Sequence, residues 1–167
     1  NVGDATLEPG KYNKIKWTGG ILTLNPGLYC ITGSQGLSIS GGSLSGNGVT
    51  IFLSIGGVTI NGNVSPVDLR APEESPDPSP AVPGILFYLA NGNSKTISIT
   101  GNSTSFYLGT VYAPDGDLYF SGTSGTNPTF NTQLIGYNVE VSGGASIDIN
   151  FNDDENFEQP PYLDMQK

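Results

Sequence analysis

A six-residue motif recurs at a nearly constant spacing, and this repeat constrains the fold more than any other feature of the chain. Each copy reads apolar, any residue, apolar, small polar, glycine, small residue. The motif glycines are Gly41, Gly62, Gly101, Gly122 and Gly143, which gives intervals of 21, 39, 21 and 21 residues. A constant period predicts units that cannot bury their apolar face alone and therefore stack on one another.

The long interval equals one period plus an insertion, which the sequence places at residues 71–84. This segment reads APEESPDPSPAVPG and holds five of the twelve prolines. Proline cannot donate a hydrogen bond to a strand ladder, so the segment predicts a loop that leaves the repeat. Its composition indicates an exposed and acidic loop.

Each period holds two further short apolar stretches, such as residues 48–53 and 103–107, with small-residue turns between them. Alternating apolar and polar positions indicate strands with one buried face. Three short strands per period predict an all-β fold, a parallel β-helix (β-solenoid) with roughly 21 residues per coil and about seven coils. A β-sandwich is the main alternative, but its hairpin turns would not repeat one motif at equal spacing.

The whole chain, residues 1–167, is expected to form one solenoid domain. Residues 1–20 are assigned to an N-terminal cap region and residues 151–167 to an acidic, aromatic C-terminal tail. The motif glycine is expected at a corner of each coil, where the backbone needs a positive φ or room for the next coil. Asn63 and Asn102 follow this glycine, and asparagine tolerates the left-handed region.

Composition excludes several classes of function. The chain has no histidine and one cysteine, which removes histidine-dependent catalysis, histidine-ligated metals and cysteine clusters. Its net charge is −9, with 15 acidic and 6 basic residues, so a nucleic-acid partner is not expected. No apolar run is long enough to span a bilayer, and we expect no membrane insertion of this segment. Cys30 lies in an alternating strand and is predicted to be a small buried residue.

An ordered set of short motifs resembles one bacterial family. The motifs are PGLYCITG (26–33), LSISGG (37–42), GNGVTIFL (46–53), GILFYLA (84–90), GNS (101–103), GTVYAPDG (109–116) and QLIGYNVEVSG (133–143). In this order, over residues 7–150, they resemble the C-terminal β-solenoid domain of TadE/TadG-like Flp pilus-assembly proteins. The resemblance implies an extracellular or cell-surface location and pilus or envelope proteins as partners. It implies no enzymatic activity and no catalytic residues.

The acidic residues were weighed as metal ligands. Asp115 and Asp117 flank Gly116, and Asp153 and Asp154 lie near the end of the chain. A Ca²⁺ site would need several such oxygens, but a turn and a solvated acidic tail explain the same residues. Asp115 and Asp117 could also form the carboxylate pair of a glycosidase, but the sequence indicates neither an enzyme nor a cofactor.

Exposed aromatic residues are the candidate binding groups. In adjacent pairs such as Phe87-Tyr88, one ring must face the core and the other the surface. The sequence does not decide which member faces inward, because a slip of one residue inverts the faces. Tyr88, Tyr107 and Tyr119 are the candidate binding residues, which on an outer face could stack on a glycan or line a protein interface. A covered outer ladder is the simpler explanation.

Two hypotheses about function follow. The first is a non-catalytic extracellular structural module, associated with the cell surface or a pilus, that is adhesive or self-assembling. The second is a carbohydrate-binding or carbohydrate-active β-helix protein. Lysines near the start and acidic residues near the end favour association of copies end to end, whereas the same two segments could instead cap their own ends.

Overall fold

The computed structural model describes residues 3–73, 80–123, 128–143 and 148–149, and within these ranges the chain is all-β. Every strand pairing found there is parallel. The strands are β1 (Ala5–Leu7), β2 (Gly10–Tyr12), β3 (Ile15–Trp17), β4 (Ile21–Leu24), β5 (Gly27–Ile31), β6 (Leu37–Ile39), β7 (Gly42–Asn47), β8 (Val49–Leu53), β9 (Val58–Ile60), β10 (Val64–Arg70), β11 (Ile85–Leu89), β12 (Ile97–Gly101), β13 (Ser105–Leu108), β14 (Thr110–Gly122), β15 (Thr129–Asn131), β16 (Leu134–Gly143) and β17 (Asp148–Ile149).

The strands form three rows, and each coil of the chain contributes one segment to each row. The first row runs β1-β4-β7-β10-β13-β15-β17. The second row runs β2-β5-β8-β11 and the third β3-β6-β9-β12. The long strand β14 joins these two rows, because its first part pairs with β11 and its last part with β12. Strand β16 continues both rows above β14. The predicted parallel β-solenoid is confirmed. It has about six coils of about 22 residues, where the sequence predicts about seven coils of roughly 21.

The repeat motif stacks in register along the third row. Leu37, Val58, Ile97, Leu118 and Val139 start the five predicted copies, and each pairs with the next. A sixth copy was not predicted. Strand β3 belongs to the sequence IKWTGG, and Ile15 pairs with Leu37 at a spacing of 22 residues. Residues that pair in register on successive strands of a row form a column.

Inward columns make up the core. One column of the third row contains Trp17, Ile39, Ile60, Ile99 and Phe120, all at most 5% exposed. Tyr29, Ile51 and Phe87 form an inward column of the second row and are fully buried. The alternation of buried and exposed residues follows from the two-residue period of a strand.

The repeat glycines are required for close approach more than for an unusual φ. Of the five, Gly143 alone has a positive φ, at 131°. A Cβ at Gly41 would lie 2.7 Å from the carbonyl oxygen of Thr18, and one at Gly101 would lie 2.5 Å from Cβ of Pro128. At Gly62 it would lie 2.6 Å from Cγ2 of Thr123. The second of the two predicted reasons, room for the adjacent coil, therefore applies to these three glycines.

The explanation offered for the asparagines is wrong. None of the residues with a positive φ is an asparagine, so the left-handed region does not account for Asn63 or Asn102. Asn102 is 9% exposed, and its amide nitrogen donates to the carbonyl oxygens of Gly62 (2.9 Å) and Val64 (2.8 Å). Its amide oxygen accepts from the backbone nitrogen of Thr104 at 3.0 Å. Asn102 thus fastens its own corner to the corner of the coil below.

The insertion leaves the coil between β10 and β11, where the sequence predicts it. Its two ends meet, because the backbone nitrogen of Gly84 donates to the carbonyl oxygen of Pro72 at 2.8 Å. The hydroxyl of Thr50 accepts from the backbone nitrogen of Val82 (3.0 Å) and donates to the carbonyl oxygen of Ile85 (2.9 Å). The base of the loop is therefore fixed to the second row.

Candidate functional site

The outer face of the second row carries an aromatic column. Phe52, Tyr88 and Tyr112 lie on three successive strands and pair in register. Their ring centroids are 5.4 Å apart for Phe52 and Tyr88 and 5.2 Å apart for Tyr88 and Tyr112. All three side chains are half-buried. Tyr88 faces outward because Phe87, its neighbour in β11, fills the core.

A groove of about 520 Å³ lies along this column, next to the base of the insertion. Tyr88 and Tyr112 form one part of its lining, and Val82, Ile85 and Ile135 add apolar surface. Thr110 and Gln133 supply polar atoms, and the Thr110 hydroxyl donates to the side-chain oxygen of Gln133 at 3.2 Å. Aromatic faces combined with a few amide and hydroxyl groups suit a ligand that has both apolar faces and hydroxyl groups.

The three candidate tyrosines lie in three different rows, so they do not form one site. Tyr88 belongs to the aromatic column. Tyr107 is 1% exposed and packs against Phe130 with ring centroids 5.1 Å apart, so this candidate lies in the core and not on an outer face. Phe106 takes the outward position, where the guanidinium of Arg70 lies 4.6 Å from its ring centre. Tyr119 is 41% exposed in the third row, in a column with Thr59 and Ser98.

Cys30 also faces outward. It lies in the column between Lys11 and Phe52 and is half-exposed, while Tyr29 beside it is fully buried. The predicted buried cysteine is therefore wrong, and the alternation in β5 has the opposite phase. The Tyr29 hydroxyl reaches two backbone carbonyl oxygens, of Leu7 (2.7 Å) and Asn25 (2.8 Å), which satisfies the polar atom of this core ring.

Asp115 and Asp117 hold neighbouring coils together. A carboxylate oxygen of Asp115 accepts from the backbone nitrogen of Gly92 at 2.7 Å, on the coil below. A carboxylate oxygen of Asp117 accepts from the side-chain amide of Asn138 at 2.9 Å, on the coil above. Asp153 and Asp154 lie outside the described residues. In the part of the chain that the structure describes, no three acidic or cysteine side chains group as a metal site would require.

The sequence did not indicate the groove, and of the two asparagines that clamp one coil to the next, Asn93 and Asn102, it indicated only Asn102 and for a different reason. Asn93 acts like Asn102, because its amide nitrogen donates to the carbonyl oxygens of Leu53 (3.2 Å) and Gly56 (3.0 Å). Both asparagines lie at corners. The sequence signal that could have found them is an asparagine that follows a predicted strand within a few residues. The groove depends on where the insertion returns to the coil, which the sequence pattern does not specify.

Comparison with protein-family models, curated proteins and solved structures finds no match. Among the described residues, no helix has the length and apolar character needed to cross a membrane. The proposals below therefore depend on the geometry of this chain and on the motif resemblance alone.

Proposed function

We propose that this chain is a non-catalytic structural module of the bacterial cell surface or of a pilus. The observation that carries the proposal is the continuous parallel pairing that runs through each of the three rows, from the first coil to the last. Strands in the middle of such a stack are paired on both edges, and their inward columns are closely packed. This arrangement gives a stiff rod whose faces can carry other surface components.

The location follows from the motif resemblance. Two of the family motifs coincide with strands of the second row. Pro26 to Gly33 covers β5, and Gly109 to Gly116 covers the first part of β14. The proposal therefore places the module outside the cytoplasm, with other envelope or pilus proteins as partners.

Labelling of intact cells tests this proposal. Antibodies against the purified domain, applied to unpermeabilised cells of the native host, should label the cell surface or the pili. A control antibody against a cytoplasmic protein should give no label. Label that appears only after permeabilisation would contradict the proposal.

The aromatic column supports a second candidate function, binding of a glycan. Phe52, Tyr88 and Tyr112 form a column of rings whose centroids are 5.2–5.4 Å apart, and Tyr88 and Tyr112 also line a groove that holds amide and hydroxyl groups. Sugar rings stack on aromatic faces and use such polar groups for orientation. A chain of sugars lying along the column could contact several rings at once.

A glycan array screened with matched variants tests this candidate. Tyr88→Ala and Tyr112→Ala should each lose binding to any glycan that the native protein recognises. Tyr119→Ala is the control, because Tyr119 is exposed on another row. Equal loss in all three variants, or no binding by the native protein, would contradict the candidate.

A further inference from the structure

The last described coil of the solenoid leaves apolar residues exposed. Val139 and Val141 in β16 are 47% and 44% exposed, although they occupy the inward columns of Leu118 (0%) and Phe120 (1%). Ile135 and Tyr137 on the same strand are 37% and 75% exposed. Among the described strands, β16 pairs with β14 on one edge, and its other edge has no partner. An unpaired edge with apolar side chains favours the addition of another strand.

The first coil presents the complementary end of the same columns. Strand β3 lies at the far end of the third row, where β6 is its one partner among the described strands. Following the register through the row, Ile15 begins the column that ends at Val139. Trp17 begins the column that ends at Val141. A second copy placed on β16 in the same register would therefore bring the ends of these columns next to the two exposed valines. Ile15 and Trp17 are only 4% and 5% exposed within their own copy, so the apolar surface that the contact newly covers lies on β16.

An outward column lies between these two inward columns, and its two end residues carry opposite charges. It begins at Lys16 and finishes at Glu140, with small polar residues and Tyr119 between them. Both end residues are exposed. In an in-register continuation, Glu140 of one copy would face Lys16 of the next. Opposite charges directly across neighbouring strands stabilise the pairing, and like charges weaken it.

We propose that β16 is the docking surface for the first coil of a second copy, so that the solenoid continues from one molecule into the next. Strand β3 of the added copy pairs in parallel with the last part of β16, with Ile15 beside Val139, Lys16 beside Glu140 and Trp17 beside Val141. This inference deepens the structural role proposed above and rests on it.

The first row requires one adjustment. Strand β17 has two residues and pairs with β15 through Thr129 and Phe130. It lies at the level that β1 of the added copy would take. The proposed stack therefore requires β17 to leave β15, so that β1 of the added copy, which has three residues, can pair there in its place.

A disulfide pair placed at the proposed contact tests the inference. The variant Lys16→Cys/Glu140→Cys is made in a Cys30→Ser background, which removes the native thiol. Neighbouring strands lie about 4.8 Å apart, within the range of Cα separations that a disulfide bridges. Within one copy these two positions are five strand spacings apart, roughly 24 Å, so a bond between them forms only between copies.

The matched control is Lys11→Cys/Glu140→Cys in the same background. Lys11 is an exposed lysine of the same first coil, but its column ends at Ile135. After mild oxidation, the test variant should give dimers and longer covalent chains on a non-reducing gel. The control should give at least about fivefold less, since a pairing one row away is out of reach.

Charge reversal supplies an independent measurement. Lys16→Glu and Glu140→Lys should each weaken self-association in sedimentation by about fivefold, and the double reversal should restore it. Lys11→Glu should leave it nearly unchanged. Equal cross-linking of test and control variants, or a monomer unaffected by these changes, would overturn the inference, as would capping of β16 by residues 150–167 of the same chain. The surface-labelling experiment is independent of this outcome, so a failure here is distinguishable from a failure of the proposed function.

Discussion

Replacement of Asn102 by alanine probes how one coil is fastened to the next. The Asn102 amide donates to the carbonyl oxygens of Gly62 and Val64, and its oxygen accepts from the backbone nitrogen and the hydroxyl of Thr104. Alanine keeps the backbone bond from the Asn102 nitrogen to the Ser105 hydroxyl, at 2.9 Å. The substitution therefore removes the side-chain bonds and leaves the local strand path intact.

The magnitude follows from the groups left without partners. The bond to Val64 is buried and those to Gly62 and Thr104 are partly buried. A buried polar group that loses its partner costs about 1–3 kcal/mol, less where water can reach it. We expect a total loss of about 3 kcal/mol in the free energy of unfolding. For a domain of this size, that corresponds to a fall of about 6–12 °C in the melting temperature.

Urea and thermal unfolding followed by circular dichroism measure this loss. Asn63→Ala is the matched control, since Asn63 holds the same repeat position but is exposed, and it should change stability by less than about 0.5 kcal/mol. Asn102→Asp keeps the shape but cannot donate to the two carbonyl oxygens, so it should be at least as destabilising as alanine. If Asn102→Ala unfolded within about 0.5 kcal/mol of the native protein, the clamp would not hold the coils.

Three further predictions use the same columns. Gly101→Ala should lower the free energy of unfolding by about 1–3 kcal/mol, because the new Cβ would lie 2.5 Å from Cβ of Pro128. Ser98→Ala, on the outer face of the same strand, is the control and should be nearly neutral. Equal stabilities of the two variants would contradict the close packing at Gly101. Tyr107→Phe should be neutral or more stable by about 1 kcal/mol, since the buried Tyr107 hydroxyl has no hydrogen-bond partner among the described residues. A clear loss of stability would contradict this. Burial raises the pKa of Tyr29 and of Tyr107 in the folded protein. The same tyrosines ionise first in the unfolded chain, so stability should hold up to about pH 9 and fall above about pH 10. A pH titration of the melting temperature checks this, and Tyr107→Phe should reduce the alkaline fall.

The fold could be predicted from the sequence because the repeat records the stacking directly. The motif glycines occur once per coil, and at Gly41, Gly62 and Gly101 the adjacent structure leaves no room for a side chain, so their spacing reports the coil length. The first copy, at Ile15 to Gly20, was missed although it fits the motif, because its spacing to the next copy is 22 residues and its second apolar residue is the large Trp17.

The phase of individual strands was harder to predict, since adjacent residues of similar polarity do not reveal which one faces inward. Tyr107 is buried and Phe106 is half-buried on the outer face, although tyrosine is the more polar of the two. The Arg70 guanidinium covers the outward Phe106 ring, and this contact depends on the neighbouring coil. In β5, Tyr29 can face inward because its hydroxyl lies within hydrogen-bond distance of two backbone carbonyl oxygens that share its one proton. Such partners come from residues distant in sequence, and a period-two pattern does not contain them.

For the candidate site, the sequence could indicate the types of residue but not their arrangement. Tyr88 could be identified as a candidate from the sequence. The groove, however, arises where β11, β14 and the returning insertion meet. The register of β11 against β14 shifts between Ile85 and Phe87, and a sequence pattern does not show such a shift. Asp115 and Asp117 were considered as metal ligands because they are close in sequence. In the structure they turn to different coils, since each accepts a hydrogen bond from a different neighbour.

Electron microscopy of the purified protein over a range of concentrations tests the central claim most directly, namely that the solenoid is a structural module that stacks end to end. Six coils spaced by about 4.8 Å give a length of roughly 29 Å for one copy. The account predicts rods of constant width whose lengths rise in steps of about this size as the concentration increases, and which shorten in Lys16→Glu. Particles of one length at every concentration, identical in the native protein and in Lys16→Glu, would contradict it.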